Sequence, residues 1–227
     1  MSGTGRGRDV PGLFITFEGI EGSGKSTQIT RLARRLEDSG VEVVCTREPG
    51  GTSLGRRLRT ALLDPEGSTM DPLAEMLLYA ADRAQHVREV ILPGVQRGAV
   101  VLSDRYLDAT LAYQGYGRQL GTAVVLDIHT HPPLDLRPDR TVLLDLDPET
   151  GVSRARSRNT ERGVAETEGR FEDEDLEFHR RVRDGYLALA RNEPHRYRVV
   201  GADGDTEAVE RRVEQALADL LSTREAK

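Results

Sequence analysis

Apolar residues along the chain fall into short continuous runs, separated by longer stretches where they recur every third or fourth position. Leu13-Phe14-Ile15-Thr16-Phe17, Val41 to Cys45, Ala99-Val100-Val101-Leu102, Thr141 to Leu146 and Arg196 to Val200 are compact β-prone runs and predict five strands. After the first, Ile29, Leu32, Ala33 and Leu36 stand at i, i+3, i+4 and i+7, which predicts a helix closed by Ser39-Gly40. Helical spacing also covers Ser53 to Leu63, Leu107 to Tyr113, Ala123 to His129, Leu176 to Arg191 and Glu207 to Leu221. A longer stretch, Asp71 to about Gln96, predicts a helix bent near Pro93. Arg154 to Glu168 breaks the pattern: it is rich in Arg, Glu, Thr, Ser and Gly, has few apolar residues, and reads as a mobile flap instead of a packed element.

Strands alternating with helices imply an α/β fold, a parallel five-stranded sheet with helices on both faces, whose ligands bind beyond the C-terminal strand ends. The 227 residues, 37% hydrophobic, suffice for one core. We expect a single domain over 13–222 with a mobile lid at about 152–170, between tails at 1–12 and 223–227.

Charge narrows the choice of partners. Charged residues make up 31% of the chain, with both signs mixed and a net charge of −6, so there is no general attraction for nucleic acid or for a membrane surface. Anionic ligands must be gripped by local arginines. No run approaches the ~20 apolar residues of a membrane span. Cys45, the one cysteine, lies among valines and reads as a buried strand residue. Without disulfides or a signal-type apolar segment, the expected location is the cytoplasm. The five histidines show no metal-ligand spacing and read as structural.

Gly19-Ile20-Glu21-Gly22-Ser23-Gly24-Lys25-Ser26, followed by Thr27, matches GxxxxGK[ST] between a predicted strand and a predicted helix. Glycines let backbone N–H groups turn inward on phosphate oxygens, and the helix N-terminus adds partial positive charge. Lys25 would reach the β- and γ-phosphates, and the Ser26 hydroxyl could ligate Mg²⁺. Of 32 basic residues only Lys25 and Lys227 are lysines, so the one internal lysine stands where this motif needs it. A GTPase NKxD element is absent, as is an LSGGQ signature, which leaves a small-molecule kinase as the best class. Two further strand ends carry candidates. Asp104-Arg105 pairs an acid able to organise Mg²⁺ or its waters with a bidentate fork for a phosphate. Arg47-Glu48-Pro49-Gly50-Gly51 would present Arg47 and Glu48 on a rigid turn.

These blocks, together with Leu77-Leu-Tyr-Ala-Ala-Asp-Arg83, Ala112-Tyr-Gln-Gly-Tyr116 and Arg137-Pro-Asp139, occur in an order that resembles the thymidylate kinase family from Leu13 onward. The resemblance implies phosphoryl transfer from ATP·Mg²⁺ to dTMP, and a homodimer. It implies that Lys25, Asp104 and Arg105 act in catalysis, that Arg105 and Arg47 attend the acceptor phosphate, and that Glu48 lies near the metal with Ser26 and Asp104. Tyr79, where the family usually has Phe, would stack on the pyrimidine, and Arg83 would donate to a base carbonyl. Gln114 would face the base edge, Tyr113 the sugar 2′ position, and Glu21 the 3′-OH; Thr110 completes the implied acceptor set. Arg59 matches a further acceptor arginine or is a solvated helix charge. One branch of the family carries an Arg where this chain has Gly22, so the resemblance points to the other branch, with catalytic arginine in the lid. Arg154 and Arg158 are favoured; Arg156 and Arg162 read as solvated. A related kinase for dUMP or another small phosphate, and an ATP-binding regulatory protein, remain the alternatives.

Overall fold

The computed structural model describes residues 12–65, 70–163 and 169–225. Five parallel strands, β1 (Leu13–Glu18), β2 (Val43–Arg47), β3 (Val100–Asp104), β4 (Arg140–Asp145) and β5 (Tyr197–Gly201), form one sheet in the order β2-β3-β1-β4-β5. The inner strands are buried along almost their whole length, as expected where helices cover both faces. The register sets Phe17 opposite Asp104 and Arg47 opposite the same Asp104, so the C-terminal ends of β1, β2 and β3 finish side by side. The loops that leave these ends converge.

The helices are α1 (Lys25–Asp38), α2 (Ser53–Leu63), α3 (Pro72–His86), α4 (Leu92–Gln96), α5 (Leu107–Thr110), α6 (Thr122–Ile128), α7 (Pro148–Arg162), α8 (Leu176–Asn192) and α9 (Thr206–Glu225). Helices α2, α3, α7 and α8 begin on Thr52, Asp71, Asp147 and Asp175, whose side chains accept first-turn N–H groups. Helix α1 begins instead on Gly24, in the left-handed region at φ 94°, with no side-chain cap. Its open N–H groups are therefore available to an anion.

Three expectations are corrected. The bend near Pro93 is a π-helical turn, Val87–Ile91, between α3 and α4: Pro93 has no N–H to give, and the chain widens one turn earlier. Cys45 is exposed, not buried, because β2 is an edge strand of the sheet. The polar stretch from Arg154 is helical through Arg162, with Ala155 and Asn159 buried. An Asp147 cap and Pro148 in the first turn start α7, and polar contacts to the 169–172 segment hold it. The remainder of the flap, 164–168, and the tail residues 1–11, 226 and 227 lie outside the described residues. No described helix is long and apolar enough to cross a membrane.

Candidate active site

The loop between β1 and α1 wraps its own lysine. Lys25 Nζ donates to the carbonyls of Gly19 (3.0 Å) and Ile20 (2.8 Å) and to Ser23 Oγ (3.3 Å). Gly19 is obligatory: it sits at φ +135°, and an added Cβ would lie 2.4 Å from the Leu144 carbonyl oxygen. Burial, helped by nearby Arg105, pushes the Lys25 ammonium down to about 8; Asp104, Glu21 and Glu18 pull it back up. Across the loop mouth the Ser26 hydroxyl donates to Asp104 Oδ2 at 2.6 Å, so two of the three residues expected at the metal meet. Glu21, Gly22, Gly24, Lys25, Ser26 and Thr27 all line one cavity.

Arg105 faces them across that cavity. Its backbone is left-handed, φ 70°, a conformation that costs a non-glycine residue about 1–3 kcal/mol. Neighbouring hydrogen bonds hold it there: Arg105 N to Phe17 O, Ser103 Oγ to Arg105 O, and Tyr106 N to Glu18 Oε1. The guanidinium donates to Glu21 Oε1 (2.8 Å), Tyr113 OH (3.1 Å), Gly19 O (3.2 Å) and Tyr186 OH (3.3 Å). Tyr113 OH also donates to Glu21. Burial alone would raise Glu21, but Arg105 and Lys25, joined by His179 and the Tyr113 hydroxyl, outweigh it and hold the carboxyl below its usual range. The charge on Glu21 is thus built in.

Glu18 is the opposite case. It is fully buried between Tyr106 N and Tyr186 OH, and burial, reinforced by Asp108, pushes it up to about 8. At neutral pH the folded protein therefore holds a proton that the unfolded chain has released. Glu18 favours the folded state fully below pH 4.5, and that contribution is lost as pH rises toward about 8. Glu18→Gln should flatten the fall in stability across this window, by an amount on the order of a few kcal/mol. Thermal melts of both proteins between pH 5 and 8 check it; parallel curves would mean that Glu18 titrates normally.

The far wall is a fixed polar frame. Arg83, 1% exposed, donates through Nε to Glu48 Oε2 (2.9 Å), through Nη2 to Thr110 Oγ1 (3.0 Å) and through Nη1 to His129 Nε2 (2.8 Å). His129 Nδ1–H is occupied by the Val125 carbonyl, so its Nε2 must accept; burial and Arg83 push the ring down to about 4 and keep it neutral. With five N–H groups, Arg83 retains donor capacity on Nη1 for the cavity it lines. Glu48 lines the cavity, but its second oxygen is taken by His86 Nδ1 (2.8 Å), and His86 also bonds Thr46. Both Glu48 oxygens thus already accept hydrogen bonds from side chains of α3. Glu48 fixes Arg83 from behind. Gln114 donates to the buried Glu75 at 2.7 Å, and Tyr79, half-buried, lines the same wall with Tyr113, Arg47 and Arg59. Arg59 is tied to the Pro49 carbonyl (3.3 Å) instead of being purely solvated.

Helix α7 sits directly on the phosphate loop. A Cβ on Gly22 would lie 2.1 Å from the Gly151 carbonyl oxygen, and one on Gly151 would lie 2.6 Å from the Glu21 carbonyl oxygen. No side chain fits at position 22 while α7 is so placed. Arg158 lines the cavity and reaches Asn159 Oδ1 (3.2 Å) and Glu172 (3.6 Å). Arg154 is exposed and does not line it, although its Cβ borders the Gly22 site. Arg156 is not merely solvated: it donates to the Glu172 carbonyl at 2.6 Å. Arg170 turns away from the phosphate loop, to Leu62 O and Glu75. The side chain of Arg162 lies outside the described residues.

Motif reading missed Glu18, Glu75, His86, His129 and Tyr186. Each serves the site only through a partner 35 or more positions away, and no local pattern marks it.

Residues 17–213 match the family model described as "Thymidylate kinase". The thymidylate kinase of Solidesulfovibrio magneticus is 53% identical over 209 residues, 92% of this chain and 100% of that one. That of Syntrophotalea carbinolica is 54% identical over 210 residues, 92% of this chain and 97% of its own. Among solved structures, thymidylate kinase from Ehrlichia chaffeensis superposes with a TM-score of 0.73 at 35% identity, covering 91% of this chain and 99% of that one.

Proposed function

The chain belongs to the thymidylate kinase family and so phosphorylates dTMP with ATP, and from that premise we propose which residues do the work. The observation that carries the assignment is that the Lys25 loop and the Arg105–Arg83–Gln114 wall line one cavity. The donor triphosphate lies along residues 19–27, its β- and γ-oxygens held by backbone N–H groups, the open N-terminus of α1 and Lys25. The acceptor phosphate meets Arg105, with Arg47 and Arg59 nearby. The thymine ring lies against Tyr79, its O4 toward Arg83, while Tyr113 and Glu21 border the sugar. An acceptor that is already anionic scarcely needs a general base, so positioning and charge neutralisation supply most of the rate.

Ser26 Oγ and Asp104 Oδ2 are hard oxygen donors at the loop mouth and fit Mg²⁺, which takes few protein ligands beside phosphates and water. Bound there, Mg²⁺ would neutralise charge shared between the phosphates. Arg158 is the lid arginine we assign to the phosphates, because it lines the cavity and Arg154 does not. The lid-arginine mechanism is further supported by Gly22, where no arginine could be housed. We also propose a cytoplasmic homodimer. The exposed apolar residues Leu54 on α2, Leu73 and Leu77 on α3, and Val124 and Leu126 on α6 support pairing with a second copy.

ADP release measured with dTMP, dUMP, dCMP, AMP and GMP tests the reading. Turnover should be greatest with dTMP and negligible with the purines. Efficient use of AMP or GMP in preference to dTMP would refute it.

A further inference from the structure

Glu75 has no place in any motif, yet it is fully buried and bonded to Gln114, which lines the cavity. Its Oε1 accepts from Gln114 Nε2 at 2.7 Å and from Arg118 Nε at 3.4 Å. Its Oε2 lies 2.5 Å from Arg170 Nη2, an ion pair too poorly angled to count as a hydrogen bond. Arg118 is anchored in turn by Glu174, and Arg170 by the Leu62 carbonyl. A carboxylate set between two guanidiniums is an acceptor only. The neighbouring glutamine amide must therefore give it the NH₂ end, and the orientation of that amide is dictated by chemistry. Gln114 lines the cavity, and with its Nε2 given to Glu75, the carbonyl oxygen is the amide atom that Glu75 does not hold.

We propose that Glu75 is a positioning residue that sets base specificity by locking the Gln114 amide with its oxygen toward the acceptor base. This rests on the acceptor site described above. An oxygen there accepts a hydrogen bond from a ring N3–H, while Arg83 donates to the adjacent O4. Thymine and uracil present that N–H and carbonyl pair. Cytosine presents the reverse, a bare N3 and a 4-amino group, so both contacts become repulsive. A freely rotating glutamine could turn its NH₂ to a cytosine N3 and discard half of the discrimination. The lock holds because the rotated amide would set its oxygen against the Glu75 carboxylate, leaving a buried acceptor facing an acceptor. Arg170 follows the lid helix in sequence, so the segment leaving α7 also braces the specificity element.

The test compares kcat/KM for dTMP and dCMP in the wild type, Glu75→Gln and Glu75→Asp. The glutamine variant can donate to Gln114 and release the lock. Its preference for dTMP over dCMP should fall by about tenfold or more, with the KM for ATP unchanged. The aspartate variant keeps an acceptor-only group and should retain most of the preference. A folded Glu75→Gln protein with the wild-type ratio would overturn the proposal. Should that variant not fold, the wild type decides: the Gln114 side-chain NH₂ signals, identified by their loss in Gln114→Met, should be protected from exchange and stay in place when dTMP is added. Rapid exchange, or a large shift of that NH₂ on binding, would overturn the lock. A wild type that prefers AMP or GMP to dTMP would remove the acceptor-site reading itself, a distinguishable failure.

Discussion

Arg105→Ala is expected to lower kcat/KM for dTMP by about a thousandfold while leaving the KM for ATP little changed. The guanidinium is the one group in the site bonded at once to Glu21, Tyr113, Tyr186 and the phosphate-loop carbonyl of Gly19. Its removal would delete the fork proposed for the acceptor phosphate, with each charge-assisted bond worth about 1.5–3 kcal/mol. It also strands the Glu21 carboxylate, which Arg105 and Lys25 keep ionised, in a buried position beside the incoming anion. Together these exceed about 4 kcal/mol, or three decades in rate. Arg105→Lys keeps the charge but loses the fork and should recover only part of the loss. Steady-state kinetics with each substrate varied in turn separates the two sides of the cavity. An equal rise in both KM values would mean that Arg105 shapes the site without gripping the acceptor.

Lys25→Ala is expected to damage both sides, with kcat reduced by about 10²–10³ or more, as for loss of one preorganised charge at a reacting centre. The ATP KM should rise as well, because the lysine holds the loop and is the group proposed to meet the phosphates. The Gly19 and Ile20 carbonyls lose their donor, so the loop itself loosens. The wild type supplies an internal check through pH. The folded Lys25 titrates near 8, so in the free enzyme kcat/KM for ATP should decline above about that pH as the ammonium is lost. For stability the sign is opposite to that of Glu18: the unfolded chain binds more protons between about 8 and 10.5, so the contribution of Lys25 to folding improves as pH rises through that window. Glu18→Gln should keep the alkaline fall in rate, and the residual activity of Lys25→Ala should lack it.

The phosphate loop was legible in the sequence because its chemistry is contiguous: strand, glycines, lysine and helix follow one another within 20 positions, and the geometry is fixed by φ angles that glycine permits. Arg83 was legible as a residue but not as a frame. That Glu48 braces it depends on the turn after β2 meeting α3, and His129 joins them from a third element. Helix α7 was hidden for a different reason. Its apolar content is so low that no stripe announces it, and it is held by its Asp147 cap, the Gly22–Gly151 approach and the bonds from Arg156 and Asn159 to Glu172. Cys45 was misplaced because an apolar run shows that a residue is in a strand, and not whether that strand lies at the edge of the sheet.

A crystal structure with ADP, Mg²⁺ and dTMP bound together should show the ADP β-phosphate in the 19–26 loop beside Lys25, the dTMP phosphate on Arg105, and thymine between Tyr79 and the Arg83–Gln114 edge. A dTMP phosphate bound away from Arg105, or a thymine ring outside that wall, would contradict this arrangement.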